Sequence, residues 1–283
     1  MIDKRYYEKP GGFSYVLGEL RKKLGRQQTE VLIKDAADLC NDLCEKYKGL
    51  PKKERLHTER MIFPRAAFYL QMIRYISREE SISLIEEAVR IGVEPDRKRL
   101  NAVTKIPFIR SLFFQIFPRM INTMFNEEAG FKAAQMESDS RHYRVDVLQC
   151  PYVKYCELLS CKELTATFCL SDDRVYGNMC GITFERQGTL GRGGAKCDFY
   201  FYQEVVPGIH AGNRRNGSLR HSCADVRAAS KLPRASKPGA VCVVGIIAIP
   251  SFDYRSFWPC YKQKSVFASF FPVPVFMMVS TKF

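Results

Sequence analysis

The stretch RHYRVDVLQC, residues 141–150, decides the fold. Tyr143, Val145 and Val147 alternate with Arg144 and Asp146, the period of a strand with one buried face. The same alternation returns twice downstream. Cys180, Ile182 and Phe184 alternate with Gly181, Thr183 and Glu185, and Cys197, Phe199 and Phe201 alternate with Asp198, Tyr200 and Tyr202. Between these strands, Lys162 to Cys169 reads as a short helical turn ahead of Asp172 and Asp173, and Gly188 to Gly194 as a glycine-rich turn.

Upstream the period is helical. Leu32, Ala36, Leu39, Leu43 and Tyr47 recur at three-to-four spacing after Thr29 as N-cap, and Gly49 and Pro51 stop the run. A charged loop, Lys52 to Arg60, precedes a second helix with Ala66, Leu70 and Ile73 on one face. Ser77 to Ile91 reads as a third helix and Asp96 to Val103 as a fourth. Residues 108–125 form the most hydrophobic helix, with apolar pairs at every fourth position and Pro118 inside. Helices first and strands second predict an α+β fold. A helical part over residues 25–125 packs on a small antiparallel sheet formed by the β-rich part, residues 141–203.

The 283 residues are 46% hydrophobic, enough for a substantial core, and carry a net charge of +14. That charge is uneven. Residues 204–283 hold eleven Lys/Arg against three acids, so +8 of it falls there. No period survives in this segment, which predicts a basic tail, disordered or outside the core fold of residues 1–203. The excess reads as solvated surface, and nucleic acid is not an expected partner.

The N-terminal Met-Ile-Asp-Lys-Arg has no secretory pattern, and the longest apolar run, Ala240 to Pro250, is too short to span a bilayer. A cytoplasmic protein with no membrane partner is expected. Its eleven cysteines should then be reduced thiols, Cys40 and Cys44 among them as helix-core residues. There is no CxxC pair, and Cys150, Cys156, Cys161 and Cys169 fit no standard zinc spacing. No metal or cofactor is called for.

Chemistry concentrates between Cys150 and Phe201. Cys150-Pro-Tyr152 follows a strand, Glu163-Leu164 lies in the short helix, and Phe168-Cys169 precedes Asp172. Phe184-Glu-Arg186, Gly188-Thr-Leu190 with Gly193-Gly194, and Cys197-Asp-Phe199 follow, with Phe63-Pro-Arg-Ala-Ala-Phe-Tyr69 upstream. In this ordered string the chain resembles the L-2-amino-thiazoline-4-carboxylic acid hydrolase family over roughly residues 25–203.

The resemblance implies ring-opening hydrolysis of a cyclic amidine to an N-carbamoyl product. Such a reaction needs a nucleophile or base, a group for the amidinium and a cation for the substrate carboxylate. Cys169, Asp172 and Asp173 are the candidates for the first two roles, and Arg186, with its planar fork, for the third. The other matching segments add Cys150, Tyr152, Thr189 and Cys197 as substrate-binding candidates. Each has a structural alternative. The cysteines can be packing residues, the aspartates turn caps, and Arg186, inward by strand parity, can pair with an aspartate. Asp198 falls on the parity opposite Cys197 and Phe199, so it is expected outside their site. A non-catalytic binder of small molecules on the same fold is the competing function.

Overall fold

The structure is a computed structural model and describes residues 1–203. The tail reading therefore lies outside the described residues. The helices are α1 (Arg5–Glu8), α2 (Gly12–Lys46), α3 (Lys52–His57), α4 (Phe63–Met72), α5 (Arg78–Thr104) and α6 (Pro107–Met124). After them come β1 (Lys132–Ser138), β2 (His142–Gln149), α7 (Pro151–Leu158), α8 (Thr165–Tyr176), β3 (Thr183–Glu185) and β4 (Cys197–Tyr202). The sheet has the order β1-β2-β4-β3, with every neighbouring pair antiparallel. The expected α+β architecture is thus the observed one.

Several boundaries differ from the sequence reading, each for a physical reason. Helix starts at Gly12 and not near Thr29, because Phe13, Val16, Leu17 and Leu20 already form a buried stripe. The chain bends within α2 at Gly25, whose φ of 80° is left-handed and open to glycine. The charged segment Lys52 to Arg60 is helical, running through α3 into a π turn, Thr58–Ile62, with Glu54 and His57 buried. The two helices expected between Ser77 and Val103 are one, α5, capped by Ser77 and continuous through Pro95.

Strand β1 has no apolar alternation to betray it, being an edge strand that is exposed at nearly every position. The strand expected at Cys180 begins only at Thr183, after Gly181 at φ 68°. The largest correction concerns α8. The helix does not end at Cys169 but runs on to Tyr176, so Asp172 and Asp173 sit in a helix and not in a turn.

Tyr143 and Val145 of β2 face Phe201 and Phe199 of β4 in register, and α6 packs over them. Phe113 stacks on Phe117 at 4.5 Å, and Phe117 meets the rings of Phe201 at 4.9 Å and Tyr143 at 5.8 Å. This aromatic cluster joins the helical part to the sheet. Phe113 is fully buried, so Phe113→Ala is expected to lower unfolding free energy by about 3–5 kcal/mol. Denaturant titration checks this; a loss below about 1 kcal/mol would show that the cluster is not the joint.

Candidate functional site

A cavity of about 200 Å³ lies between α6, α8 and the buried face of the sheet. Three periodicities build it. Alternate residues of β2 and β4, among them Tyr143, Val145, Val147, Cys197, Phe199 and Phe201, form the floor. Phe117, Met120, Ile121 and Met124 line it from one stripe of α6, and Thr165, Phe168, Cys169, Asp172 and Tyr176 from one stripe of α8. Met61 and Arg65 reach it from the π turn and α4.

Of the eight residues singled out in the sequence, six line this cavity: Cys150, Tyr152, Cys169, Asp172, Arg186 and Cys197. Asp173 and Thr189 stand behind them. The Arg186 side chain is 3% exposed. Its Nη1 donates to Asp172 Oδ2 at 3.2 Å, and its Nη2 donates to the Cys169 carbonyl at 2.8 Å and to Asp173 Oδ1. Arg192 donates to the other Asp173 oxygen at 2.8 Å. The result is a chain of alternating charge, Asp172–Arg186–Asp173–Arg192, running from the cavity to the surface. Arg186 thus takes the aspartate pairing left open by its inward parity, and its fork is occupied within the protein.

Burial governs the acid–base character of this wall. Desolvation raises the Asp172 carboxyl to about 6, in spite of the opposing pull of Arg186. A third of its side chain remains exposed, and that surface faces the cavity. Desolvation also works against the Arg186 charge, but Asp172 and Asp173 outweigh it and hold that charge firmly. The Cys169 thiol is pushed up by burial, with Thr189 pulling weakly the other way. Cys150 is likewise raised by burial, and Cys197 to about 11, although the Leu190 N–H donates to its sulfur at 3.2 Å. All three cavity cysteines are therefore neutral thiols at pH 7.

The glycine-rich loop closes the site. Thr189 caps the 3-10 turn Leu190–Arg192 by accepting from the Arg192 N–H. Gly191 presses so closely on α8 that a Cβ there would lie 2.7 Å from Cys169 Sγ and 2.8 Å from Thr165 Cγ2. Asp198 points elsewhere, as its parity predicts. It accepts from the backbone N–H of Gln187 and Gly188 and so anchors the start of the loop.

Two groups escaped the sequence reading, Arg65 at the cavity and His57 behind its lining residue Tyr152. Arg65 lies in the quoted Phe63–Tyr69 segment, but its helical position alone does not reveal that it is 2% exposed and aimed at a cavity. His57, on the segment expected to be a loop, is lowered by burial. Its neutral ring donates from Nε2 to the Met124 carbonyl and accepts at Nδ1 from the Tyr152 hydroxyl. Only helix placement of residues 52–60 could have brought it to Tyr152. Among the described residues, no helix is long and apolar enough to cross a membrane. The ligand atoms of Glu137, Asp139 and His142 also cluster, but on the outer face, away from this cavity.

Fold and site define an α+β protein with a ligand-sized cavity, mostly apolar, carrying one carboxylate–guanidinium wall. The family model of L-2-amino-thiazoline-4-carboxylic acid hydrolase matches residues 54–201, more than half of the chain, and the chain belongs to that family. The matched span runs from α3 to β4 and contains every cavity residue named above. No curated protein and no solved structure matches the chain.

The raised Asp172 has a consequence for stability. The native carboxyl binds its proton at about 6, against 3.8 as the ordinary value, so between these pH values the native state holds more protons than the unfolded chain. Stability contributed by protonation is complete below about pH 4 and is lost as pH rises through about 6. Asp172→Asn, which stays neutral, is expected to flatten that slope and to be more stable than the parent above pH 6. Denaturation midpoints from pH 4 to 8 test this; parallel pH profiles for the two proteins would rule it out.

Proposed function

We propose that the protein is a cytoplasmic hydrolase that opens the ring of a small cyclic amidine acid, in the manner of 2-aminothiazoline-4-carboxylate, to an N-carbamoyl product. The observation that carries this reading is the convergence of Cys169, Asp172 and Arg186 on one wall of one cavity. A purely structural set of these residues would have no reason to face ligand-sized space. The eight described cysteines are all free thiols, in keeping with a reducing compartment.

In this reading Asp172 is the general base. It takes a proton from water as the oxygen attacks the amidine carbon between ring sulfur and nitrogen. With the substrate entering as the amidinium, the ring nitrogen already carries its proton. The tetrahedral adduct collapses with cleavage of the carbon–sulfur bond, its hydroxyl proton leaves to solvent to give the urea-type carbonyl, and the departing sulfur receives the proton held by Asp172. Arg186 and Asp173 are positioning residues that hold the Asp172 oxygen toward the cavity. Cys169 packs beside them as a neutral thiol, since burial disfavours its thiolate.

The test is thiol release from 2-aminothiazoline-4-carboxylate by purified protein. Asp172→Asn is expected to lower kcat/KM by about 10²–10⁴-fold, the range of a lost general base. Arg186→Lys should be nearly as damaging as Arg186→Ala, because one ammonium cannot bridge Asp172, Asp173 and a carbonyl. Cys169→Ser should keep most of the turnover, whereas a covalent thiol route would lose essentially all of it. For the parent, kcat/KM should fall as pH drops through about 6 and Asp172 takes up its proton. Wild-type rates in Asp172→Asn and Arg186→Lys, with both proteins folded, would exclude this mechanism.

A further inference from the structure

Among the described residues, three tyrosines line the cavity: Tyr143, Tyr152 and Tyr176. Their hydroxyls are placed differently. That of Tyr152 is engaged with His57, to which it donates at 3.1 Å. Tyr143 is 0% exposed, and its hydroxyl is closed off without a partner. Tyr176 is 9% exposed, and its hydroxyl makes no hydrogen bond among the described residues. It follows Asp172 by four residues on α8, so the two side chains share one helical stripe and one wall of the cavity.

Packing fixes the Tyr176 ring. It meets Phe201 at 5.3 Å, Phe184 at 5.6 Å and Phe117 at 5.8 Å, edge to face in every case. Rings from β4, β3 and α6 thus cage the phenol without offering it a hydrogen-bond acceptor. A buried hydroxyl so held is left to bond with what occupies the cavity. Burial, with the Asp172 carboxylate adding to it, pushes the phenol far above its ordinary 10.0. It is therefore a neutral donor that keeps its proton throughout the pH range in which Asp172 titrates. The reaction proposed above creates a need for such a donor. As the carbon–sulfur bond breaks, its electron pair leaves with the sulfur, before the proton held by Asp172 arrives. A ring sulfur bonded to two carbons is a weak acceptor, whereas a thiolate is a charged one. A hydroxyl placed there binds the transition state better than the substrate, which is the condition for catalysis.

We propose that Tyr176 is a catalytic residue whose hydroxyl donates a hydrogen bond to the departing sulfur. This rests on the hydrolase reading and deepens it, by placing the leaving group beside Asp172 at the Tyr176 end of α8. The phenol gives up no proton of its own. The sulfur takes the proton that Asp172 removed from water, and Tyr176 ends the cycle as it began.

Tyr176→Phe keeps the ring in its cage and removes only the hydroxyl. In thiol release from 2-aminothiazoline-4-carboxylate by the full chain, kcat is expected to fall about 10–100-fold, with KM within about two-fold of the parent. The limb of the pH profile near 6 should stay in place, since it belongs to Asp172. The unfolding midpoint should not drop below that of the parent, because the hydroxyl has no partner to lose. Parent-like kcat in the variant overturns the proposal and leaves the hydrolase reading standing. A loss confined to KM overturns it too, since the hydroxyl would then bind substrate and transition state alike. A shifted pH limb would make Tyr176 a positioning residue for Asp172, and a lowered midpoint would make its hydroxyl a structural group; either result overturns the catalytic role. If the parent releases no thiol, the hydrolase reading fails and this role falls with it.

Discussion

One buried guanidinium organises this molecule. Strand parity turns Arg186 inward, next to the aromatic floor formed by Phe184 and Phe199, with its centre 4.9 Å from the Phe199 ring. An arginine buried there with no counter-charge would destabilise the fold by about 3–5 kcal/mol. The chain meets that demand from a single helix. Asp172 and Asp173 are adjacent on α8, and the Cys169 carbonyl one turn earlier supplies a further acceptor. Their geometry requires α8 to stay helical through Asp173 and to lie across the end of β3. It also requires the loop after Thr189 to bring Arg192 within reach of Asp173, which Gly191 permits by leaving out a Cβ where Cys169 and Thr165 stand. Helix, strand end and loop are thus pinned by one charge network, and the cavity is the space that this network and the aromatic floor enclose.

What could be read from the chain follows the strength of its periodicity. The floor was legible, because Tyr143, Val145 and Val147, and Cys197, Phe199 and Phe201, alternate without interruption and do form β2 and β4. The convergence of Cys169, Asp172 and Arg186 was legible as a hypothesis from their order and from the parity of Arg186. Strand β1 was not, since an edge strand with both faces in water needs no apolar alternation. Nor was the true length of α8. Asp172-Asp173 looks like punctuation in a sequence read locally, and only the distant Arg186 and Arg192 make two consecutive carboxylates welcome inside a helix. Arg65 and His57 were hidden for a related reason: both lie on the helical part, and only tertiary packing brings Arg65 to the cavity and His57 to the hydroxyl of Tyr152, which lines it.

The two sides of the cavity do different physical work. The α8 wall is polar but internally neutral, so it can tune one carboxyl without leaving an uncompensated charge in the core. The α6 wall is apolar and rich in methionine, which keeps water out and lowers the dielectric around Asp172. That exclusion is the reason burial outweighs Arg186 at this carboxyl, although the same guanidinium is close enough to bond it. A drier cavity also strengthens every contact that a bound anion or amidinium would make there.

The same desolvation separates the two candidate nucleophilic partners. It moves Cys169 and Asp172 in one direction, toward their neutral forms, but from opposite sides of neutral pH. A thiol raised above its ordinary 9.0 has almost no thiolate at pH 7. A carboxyl raised to about 6 is still largely ionised there, and is a far better proton acceptor than an aspartate at 3.8. On the proposed reaction, the group that benefits from burial is therefore the carboxylate. Once it has taken a proton from the attacking water, its affinity for that proton is modest enough to hand it on to the sulfur released by ring opening. A covalent route through Cys169 would need a cation able to create its thiolate. Arg186, the nearest one, is already shared between two aspartates.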